Sequence, residues 1–413
     1  MSFLADLHIH SRYSLATSDE CTLEGLQRWA QLKGVSVVGT GDCTHPGWLA
    51  ELRAKLEPAA PGLYRLRAEF AAPVDADLPP ACRAPLFFVL TTEISSIFRR
   101  DGKTRKVHSL ILFPSIEAAT AMIRRLEPHA KLASNGRPTT RLEPRELLSM
   151  ALECDPESTL IPAHIWTPWF SLLGDKSGFD SLEECFGDLS GEVFALETGL
   201  SSDPPMNWRL SALDRLTLVS NSDLHSPAGL ARDANLFLGE PDYYRMRCGL
   251  RSKDPAVCGG TIDLFPEAGK YHYDGHRRCG VALEPEETRK LDGLCPKCGK
   301  ALTIGVLHRV AELADRPKGF RPPNALPHEY IIPLPELLAE IHGTAATAVK
   351  VRRHYLDLLT RFGPEMTILR AVPPTTLDQG GEARVAEAVR RVRRGEVTRE
   401  PGFDGQYGRI RVF

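Results

Sequence analysis

Hydrophobic and polar positions alternate with two different periods along residues 1–240, and the switches between them predict an α/β architecture. Phe3–Ile9 is a short apolar strand. In Thr22–Lys33 the apolar positions Leu23, Leu26, Trp29, Ala30 and Leu32 follow helical spacing, with Thr22 placed to cap the helix and Gly34 to end it. Val35–Gly39 is a largely apolar strand, Trp48–Leu56 a short helix, and Leu86–Glu93 a third strand. Ile116–Leu126 and Pro144–Leu152 are helical. Thr159–His164, Val193–Glu197 and Leu216–Ser220 are strands, with a helix beginning at Leu182–Phe186.

One segment fixes a register. Ile94–Phe98 and Thr104–Leu112 flank Asp101-Gly102, a two-residue hairpin signal. A loop of those two residues pairs Arg100 with Lys103 and sets Ser95 opposite His108. Glu93 is then the diagonal neighbour of His108, within reach of a shared ion.

The polar residues that end these runs are mostly metal-ligand types. His8 and His10 alternate with Ile9, so a strand would point both to one face. Asp42, His45, Glu93, His108, His164, Asp223 and His225 follow, several of them at strand ends, where parallel α/β folds gather functional groups. Imidazoles and carboxylates without thiolates suit zinc, iron or manganese, and several such ions serve phosphate-ester hydrolysis. Glu93 is the expected bridging ligand. No G-x-x-x-x-G-K-[ST] run or G-x-S-x-G elbow occurs, which argues against a P-loop motor or a serine hydrolase.

A shift in composition begins at Pro241. Cys295-Pro296-Lys297-Cys298-Gly299 is a zinc knuckle and Cys279 a third ligand; His276, His272 and Cys258 compete to be the fourth. Four protein ligands leave no open position, so this zinc is expected to be structural. Beyond Val310 come helices over Leu334–Ile341, Thr347–Phe362 and Glu382–Arg394. Lys350, Arg352 and Arg353 on the second of these could contact a phosphate backbone, or simply favour the helix dipole. The expected modules are residues 1–240, 241–310 and 311–413.

Bulk properties add little. With 51 basic and 53 acidic residues the formal net charge is −2, so affinity for nucleic acid must come from local patches. No run approaches the ~18 apolar residues of a membrane span, and no signal-peptide pattern opens the chain. Ten cysteines, three of them within 279–298, suit reduced thiols and a metal. A cytoplasmic protein is expected, with no membrane partner.

The set His8-x-His10, Asp42-x-x-His45, Glu93, His108, His164 and Asp223-x-His225 resembles the PHP (polymerase and histidinol phosphatase) family. That resemblance implies a distorted (β/α)7 barrel, two or three divalent metals (Zn, Mn or Mg) and phosphoesterase activity, with Glu93, Asp223 and His225 catalytic. Two departures stand out. Cys43 and Thr44 separate Asp42 from His45, and Leu15-Ala16-Thr17 replaces an acidic ligand that sometimes follows the first motif.

Over nearly the whole chain the sequence resembles the endonuclease Q family, through Ala5–Ser11, Gly39–Leu49, His164–Leu189, Ser220–Ala231, Lys270–Cys279, Cys295–Gly299, Leu307–Arg316 and Pro401–Phe413. This implies a DNA-repair endonuclease cutting 5′ to deaminated bases (uracil, hypoxanthine, xanthine) or abasic sites, with repair or replication proteins as possible partners. The base must leave the stack, and Trp166, Trp169 and Phe170 are candidate walls of its pocket, or else a buried aromatic corner. The rival readings are a phosphatase of the histidinol-phosphate type and a catalytically inert PHP-like DNA-binding protein.

Overall fold

A computed structural model describes residues 2–413. Seven strands trace a distorted barrel: β1 (Ser2–Asp6), β2 (Val37–Gly39), β3 (Phe87–Arg100), β4 (Lys103–Phe113), β5 (Thr159–Pro162), β6 (Ala195–Glu197) and β7 (Thr217–Val219). Ladders join β1–β2, β2–β3 and β6–β7 in parallel, and β3–β4 and β4–β5 antiparallel. Single bonds complete the ring. Ile165 N–H donates to Glu197 O at 3.0 Å, Asp223 N–H donates to His8 O at 2.9 Å, and Ile9 bridges Leu224. The barrel interior is one apolar cluster that takes residues from every strand, among them Leu7, Val37, Val89, Leu110, Ile161, Ala195 and Val219. The α/β class and the distorted barrel expected from the sequence are what the chain adopts.

The hairpin has the expected register: Arg100 pairs with Lys103 and Ser95 with His108. Asp101 and Gly102 both have positive φ (51° and 75°), the backbone that a type I′ turn requires. The ladder of β1 stops at Asp6, short of the expected Ile9, so His8 and His10 stand beyond it, where the chain crosses the barrel mouth. Gly41 (φ 60°) lets the turn after β2 pass close beneath them, since a Cβ there would lie 2.4 Å from Ile9 O.

Helices α1 (Leu23–Lys33), α2 (Pro46–Lys55), α3 (Ile116–Leu126) and α4 (Pro144–Cys154) cover the outside and bury their apolar stripes in the largest core. The sheet also runs out of the barrel. β8 (Ala234–Leu238) pairs with β1, β9 (Cys258–Leu264) with β8, and β10 (His328–Ile331) with β9. Residues 258–264 and 328–331, expected in the later modules, therefore extend the main sheet. Later helices include α5 (Val306–Leu313), α6 (Leu334–His342), α7 (Val349–Phe362) and the last, α8 (Ala383–Arg394). A second core joins α6–α8 to Leu32 of α1. There the buried Lys33 ammonium sits 2.8 Å from Glu365. No described helix is long and apolar enough to cross a membrane.

Buried carboxyls brace the seam beside β8. Asp6 accepts from Ser222 N–H (3.1 Å) and Ala231 N–H (2.9 Å), which holds the segment carrying Asp223 and His225. Asp233 accepts from Leu264 N–H at 2.6 Å, and Asp263 from the Thr261 hydroxyl at 2.7 Å. Burial raises Asp263 to about 7, and burial with repulsion from Asp263 raises Asp233. A carboxyl raised on folding contributes stability fully present below its unfolded value near ~3.9 and lost as pH climbs through the folded value. The thermal midpoint should therefore fall between pH 5 and pH 8, and Asp263→Asn should flatten that slope. An unchanged slope in melts of the variant would contradict this assignment.

Candidate metal centre

Glu93 ends inside the barrel mouth, 1% exposed, with imidazoles on both oxygens. Its Oε1 lies 2.6 Å from His108 Nδ1 and 3.1 Å from His164 Nε2. Its Oε2 lies 3.3 Å from His10 Nε2 and 3.6 Å from His8 Nε2. Asp223 closes the second group, with Oδ1 at 3.1 Å from His10 Nε2 and 3.7 Å from His8 Nε2. Two ligand clusters result, His8–His10–Glu93–Asp223 and Glu93–His108–His164, sharing one carboxylate. His164 (φ 30°) and Asp223 (φ 46°) sit in left-handed backbone, the kind of local strain that the surrounding structure must hold in place.

Carboxylates behind the rings set which nitrogen faces the centre. Glu197 lies 3.0 Å from His8 Nδ1 through both oxygens, and also accepts from His164 N–H (2.8 Å) and Asn221 Nδ2 (2.8 Å). Asp42 takes His10 Nδ1 at 3.2 Å. With each Nδ1 proton held, the Nε2 lone pairs of His8 and His10 point at two carboxylates. His8 Nε2, fully buried, has no hydrogen-bond partner among the described residues. A lone pair facing carboxylates is unfavourable unless a positive charge lies between them, so these residues fit divalent cations. The protonation equilibria express the same need. Burial opposes charge on His8, yet Glu197, Glu93 and Asp223 outweigh it and hold its pKa well above the usual range. Burial likewise opposes ionisation of Glu93, but His108 and His8 hold it well below.

Three sequence candidates stand outside these clusters. Asp42 is spent on Ser11 N–H (2.7 Å), the Ser11 hydroxyl (2.6 Å) and His10, so it orients a ligand from behind. Both ring nitrogens of His45 are occupied: Nδ1 accepts from Trp48 N–H at 3.3 Å, capping α2, and Nε2 lies 3.2 Å from Ala133 O. The two extra residues after Asp42 move this histidine onto a helix start. His225 lies at the rim, its ring 4.6 Å from that of His10 and its Nδ1 donating to Asp223 O at 3.2 Å. Sequence reading missed Glu197, whose only signal was its place at a strand end. It also missed Arg137, whose Nη1 lies 3.2 Å from Glu93 Oε2, and Arg232, which donates to Ser222 O at 2.8 Å.

The centre opens into a cavity of about 480 Å³, walled by Trp169, Phe170, Tyr271 and Tyr407. Trp169 stands edge-on to Tyr271 (5.9 Å) and Phe170 packs 4.9 Å from His108. Trp166 does not belong to this wall. It is buried, and its indole N–H donates to Asn207 Oδ1 at 2.8 Å, as an apolar ring with one polar atom demands of a core position. Lys350, Arg352 and Arg353 are exposed on α7 and do not line the cavity.

Farther along the chain His276, Cys279, Cys295 and Cys298 bring their ligand atoms together. Gly299 (φ 68°) turns the knuckle back, its N–H donating to Cys295 O at 2.8 Å. Desolvation raises the Cys295 thiol, but the N–H groups of Lys297 and Cys298 outweigh it and bring it to about 6, which suits a thiolate ligand. Cys258 is paired into β9, and His272 Nδ1 donates to Ser201 O at 3.2 Å, so neither reaches the cluster.

Glu197→Gln keeps an acceptor on His8 but removes the charge behind it. Titration against a chromophoric chelator should show divalent-cation affinity reduced about 10- to 100-fold. Unaltered affinity would mean that Glu197 does not orient a ligand.

The MJ0043 C-terminal domain family matches residues 333–396. The chain is 31% identical over 257 residues to the uncharacterised protein MJ0043 of Methanocaldococcus jannaschii, using 59% of this chain but only 31% of that protein's length. It is 27% identical over 418 residues to the uncharacterised protein YqxK of Bacillus subtilis, covering 98% of both. Among solved structures, the lesion-specific endonuclease PfuEndoQ from Pyrococcus furiosus superimposes with a TM-score of 0.85 and 30% identity, over 100% of this chain and 95% of that one. An endonuclease Q complexed with a 27-mer duplex substrate, an abasic lesion at its active site, matches with the same TM-score and identity over 100% and 96%. With the whole length shared at this identity, the chain belongs to the endonuclease Q family.

Proposed function

We propose that this protein is a metal-dependent DNA-repair endonuclease that hydrolyses the phosphodiester 5′ to a deaminated base (uracil, hypoxanthine or xanthine) or an abasic site. The observation that carries the reading is the direct opening of the Glu93 centre into the aromatic-walled cavity. That cavity falls in the ~300–1,000 Å³ range of small-ligand sites. A phosphodiester at the centre can thus have its nucleoside turned into a lined space. The related endonuclease Q crystallised with an abasic lesion at its active site supports this choice of substrate. The basic residues of α7, Lys350, Arg352 and Arg353, would hold backbone phosphates away from the cut. The division of labour would follow residues 1–240 for catalysis, 241–310 for the zinc-stapled wall and 311–413 for duplex contact. A cytoplasmic location, and repair or replication proteins as partners, would follow from such a role.

His8, His10, Glu93 and Asp223 would hold one cation, and Glu93, His108 and His164 another. When bound, these cations would lower the pKa of water and neutralise charge on the phosphodiester. The protein's own groups do the rest. Glu197 and Asp42 keep His8 and His10 in the tautomer that presents Nε2. In the hydrolysis an oxygen from water joins phosphorus, the bond to the 3′ oxygen of the preceding nucleotide breaks, and that oxygen takes a proton. His225 donates through Nδ1 to a carbonyl, and burial favours its neutral form, so its Nε2 at the rim is free to take the proton that the attacking water loses and pass it to that oxygen.

All three deaminated bases present a carbonyl acceptor beside a ring N–H donor. A backbone carbonyl in the cavity would accept from that N–H and reject cytosine and adenine, which lack it. Trp169, Phe170 and Tyr271 would supply the stacking surface.

Purified protein with Mn²⁺ or Mg²⁺ should nick duplexes carrying one deoxyuridine, deoxyinosine or abasic analogue immediately 5′ to the lesion. Binding without a nick would favour the inert DNA-binding protein, and turnover of histidinol phosphate alone the phosphatase. Base–aromatic stacking is worth about 1–3 kcal/mol. Trp169→Ala should therefore lower kcat/KM for deoxyuridine about 5- to 100-fold while leaving the abasic analogue, which has no ring to stack, close to wild type. Equal loss on both substrates would remove Trp169 from the base wall.

A further inference from the structure

Arg137 is the cation nearest the shared carboxylate, and its surroundings do not make sense for a simple counter-ion. The loop that carries it is bolted down at several points. Ser95 N–H donates to Pro138 O at 2.9 Å and Gly136 N–H to Tyr13 O at 2.9 Å, and the adjoining Thr139 pairs with Ser95 of β3. Gly136 is packed so tightly on Asp42 that a Cβ would lie 2.4 Å from its Cγ. From this strap the Arg137 side chain reaches over the centre, with Nη1 at 3.2 Å from Glu93 Oε2 and 30% of the side chain exposed. Nε and Nη2 have no partner among the described residues, and the guanidinium lines the cavity beside His108, His164, Asp223 and His225.

Two other cations line the same cavity, and both are committed elsewhere. Arg232 donates to Ser222 O at 2.8 Å and Asp223 O at 3.3 Å, which fixes the Asp223 turn. Lys270 Nζ lies over the Tyr407 ring at 4.6 Å. Arg137 alone offers free donors at the centre itself. A fixed positive charge beside the shared carboxylate of a cation-binding cluster opposes cation binding. Its placement becomes favourable once an anion arrives between guanidinium and centre.

We infer that Arg137 is a catalytic residue that clamps the non-bridging oxygens of the scissile phosphodiester. This rests on the phosphodiester hydrolysis proposed above. The planar fork matches two phosphate oxygens, and the charge it meets grows as the fifth bond to phosphorus forms. The same geometry couples the two ligands. Phosphodiester binding screens Arg137 from the cations, so substrate and metal strengthen each other's binding reciprocally.

The test uses full-length Arg137→Ala and Arg137→Lys, single-turnover hydrolysis of an abasic duplex and of bis(p-nitrophenyl) phosphate, and metal titration without substrate. For Arg137→Ala the rate should fall about 10²–10³-fold on both substrates, the loss typical for one donor to developing charge. Added guanidinium should restore part of it, Arg137→Lys should be intermediate, and metal affinity should hold or tighten. A rate within threefold of wild type, or metal affinity weakened tenfold or more, would overturn the inference; the second result is what a strap holding Glu93 in place predicts. A wild-type protein that hydrolyses bis(p-nitrophenyl) phosphate but not lesion DNA would overturn the lesion reading, and Arg137 would still be tested on the small diester.

Discussion

A carboxylate buried in a barrel mouth is expensive, costing several kcal/mol in lost hydration, and Glu93 is affordable only because four imidazoles, one arginine and the cations it suits surround it. That single charge ties five strands together. β1 leads into His8 and His10, β3 carries Glu93 itself, β4 carries His108, and His164 and Asp223 lie just beyond β5 and β7. No partner can be removed without leaving charge or lone pairs stranded. The left-handed backbone at His164 and Asp223 shows how the strand ends are bent to serve it.

The accessory parts act on this centre by shaping what lies above it. Arg309 of α5 donates to Leu173 O at 3.0 Å and Phe179 O at 3.2 Å, gripping the loop that presents Trp169 and Phe170. Tyr271 comes from the chain just ahead of the Cys/His cluster, and Tyr407 arrives from the C-terminal segment. The helical unit is held to the barrel by the second core and by Lys33–Glu365, whose carboxylate also accepts from Leu334 N–H (3.1 Å) and the Tyr355 hydroxyl (2.9 Å). A barrel alone would keep its candidate metal ligands and lose two of the four aromatic walls.

Much of this was legible from local chemistry. Asp101-Gly102 dictated a two-residue turn, the turn dictated the register, and the register put Glu93 diagonal to His108. Strand-end histidines could be gathered on one rim because α/β topology collects them there. What spacing could not reveal was depth. Asp42 and His45 carry ligand chemistry, yet one lies behind His10 and the other caps a helix, and no periodicity separates these positions from the centre. Glu197 looked like any strand-end acid until His8 was seen against it. Arg137 sits in a loop with no period at all, and its role depends on a crossing over Asp42 that only the folded chain provides. Trp166 and Trp169 share one aromatic run, but a sharp turn sends the first into the core and leaves the second on the cavity.

Glu93 is the carboxylate shared by the two candidate cation sites. Anomalous diffraction at the manganese and zinc edges, from crystals of the full chain grown with those ions, tests it most directly. A peak is expected on each side of the Glu93 carboxylate, one among His8, His10 and Asp223, the other between His108 and His164. Density elsewhere, with Glu93 still paired only to Arg137 and the imidazoles, would contradict it.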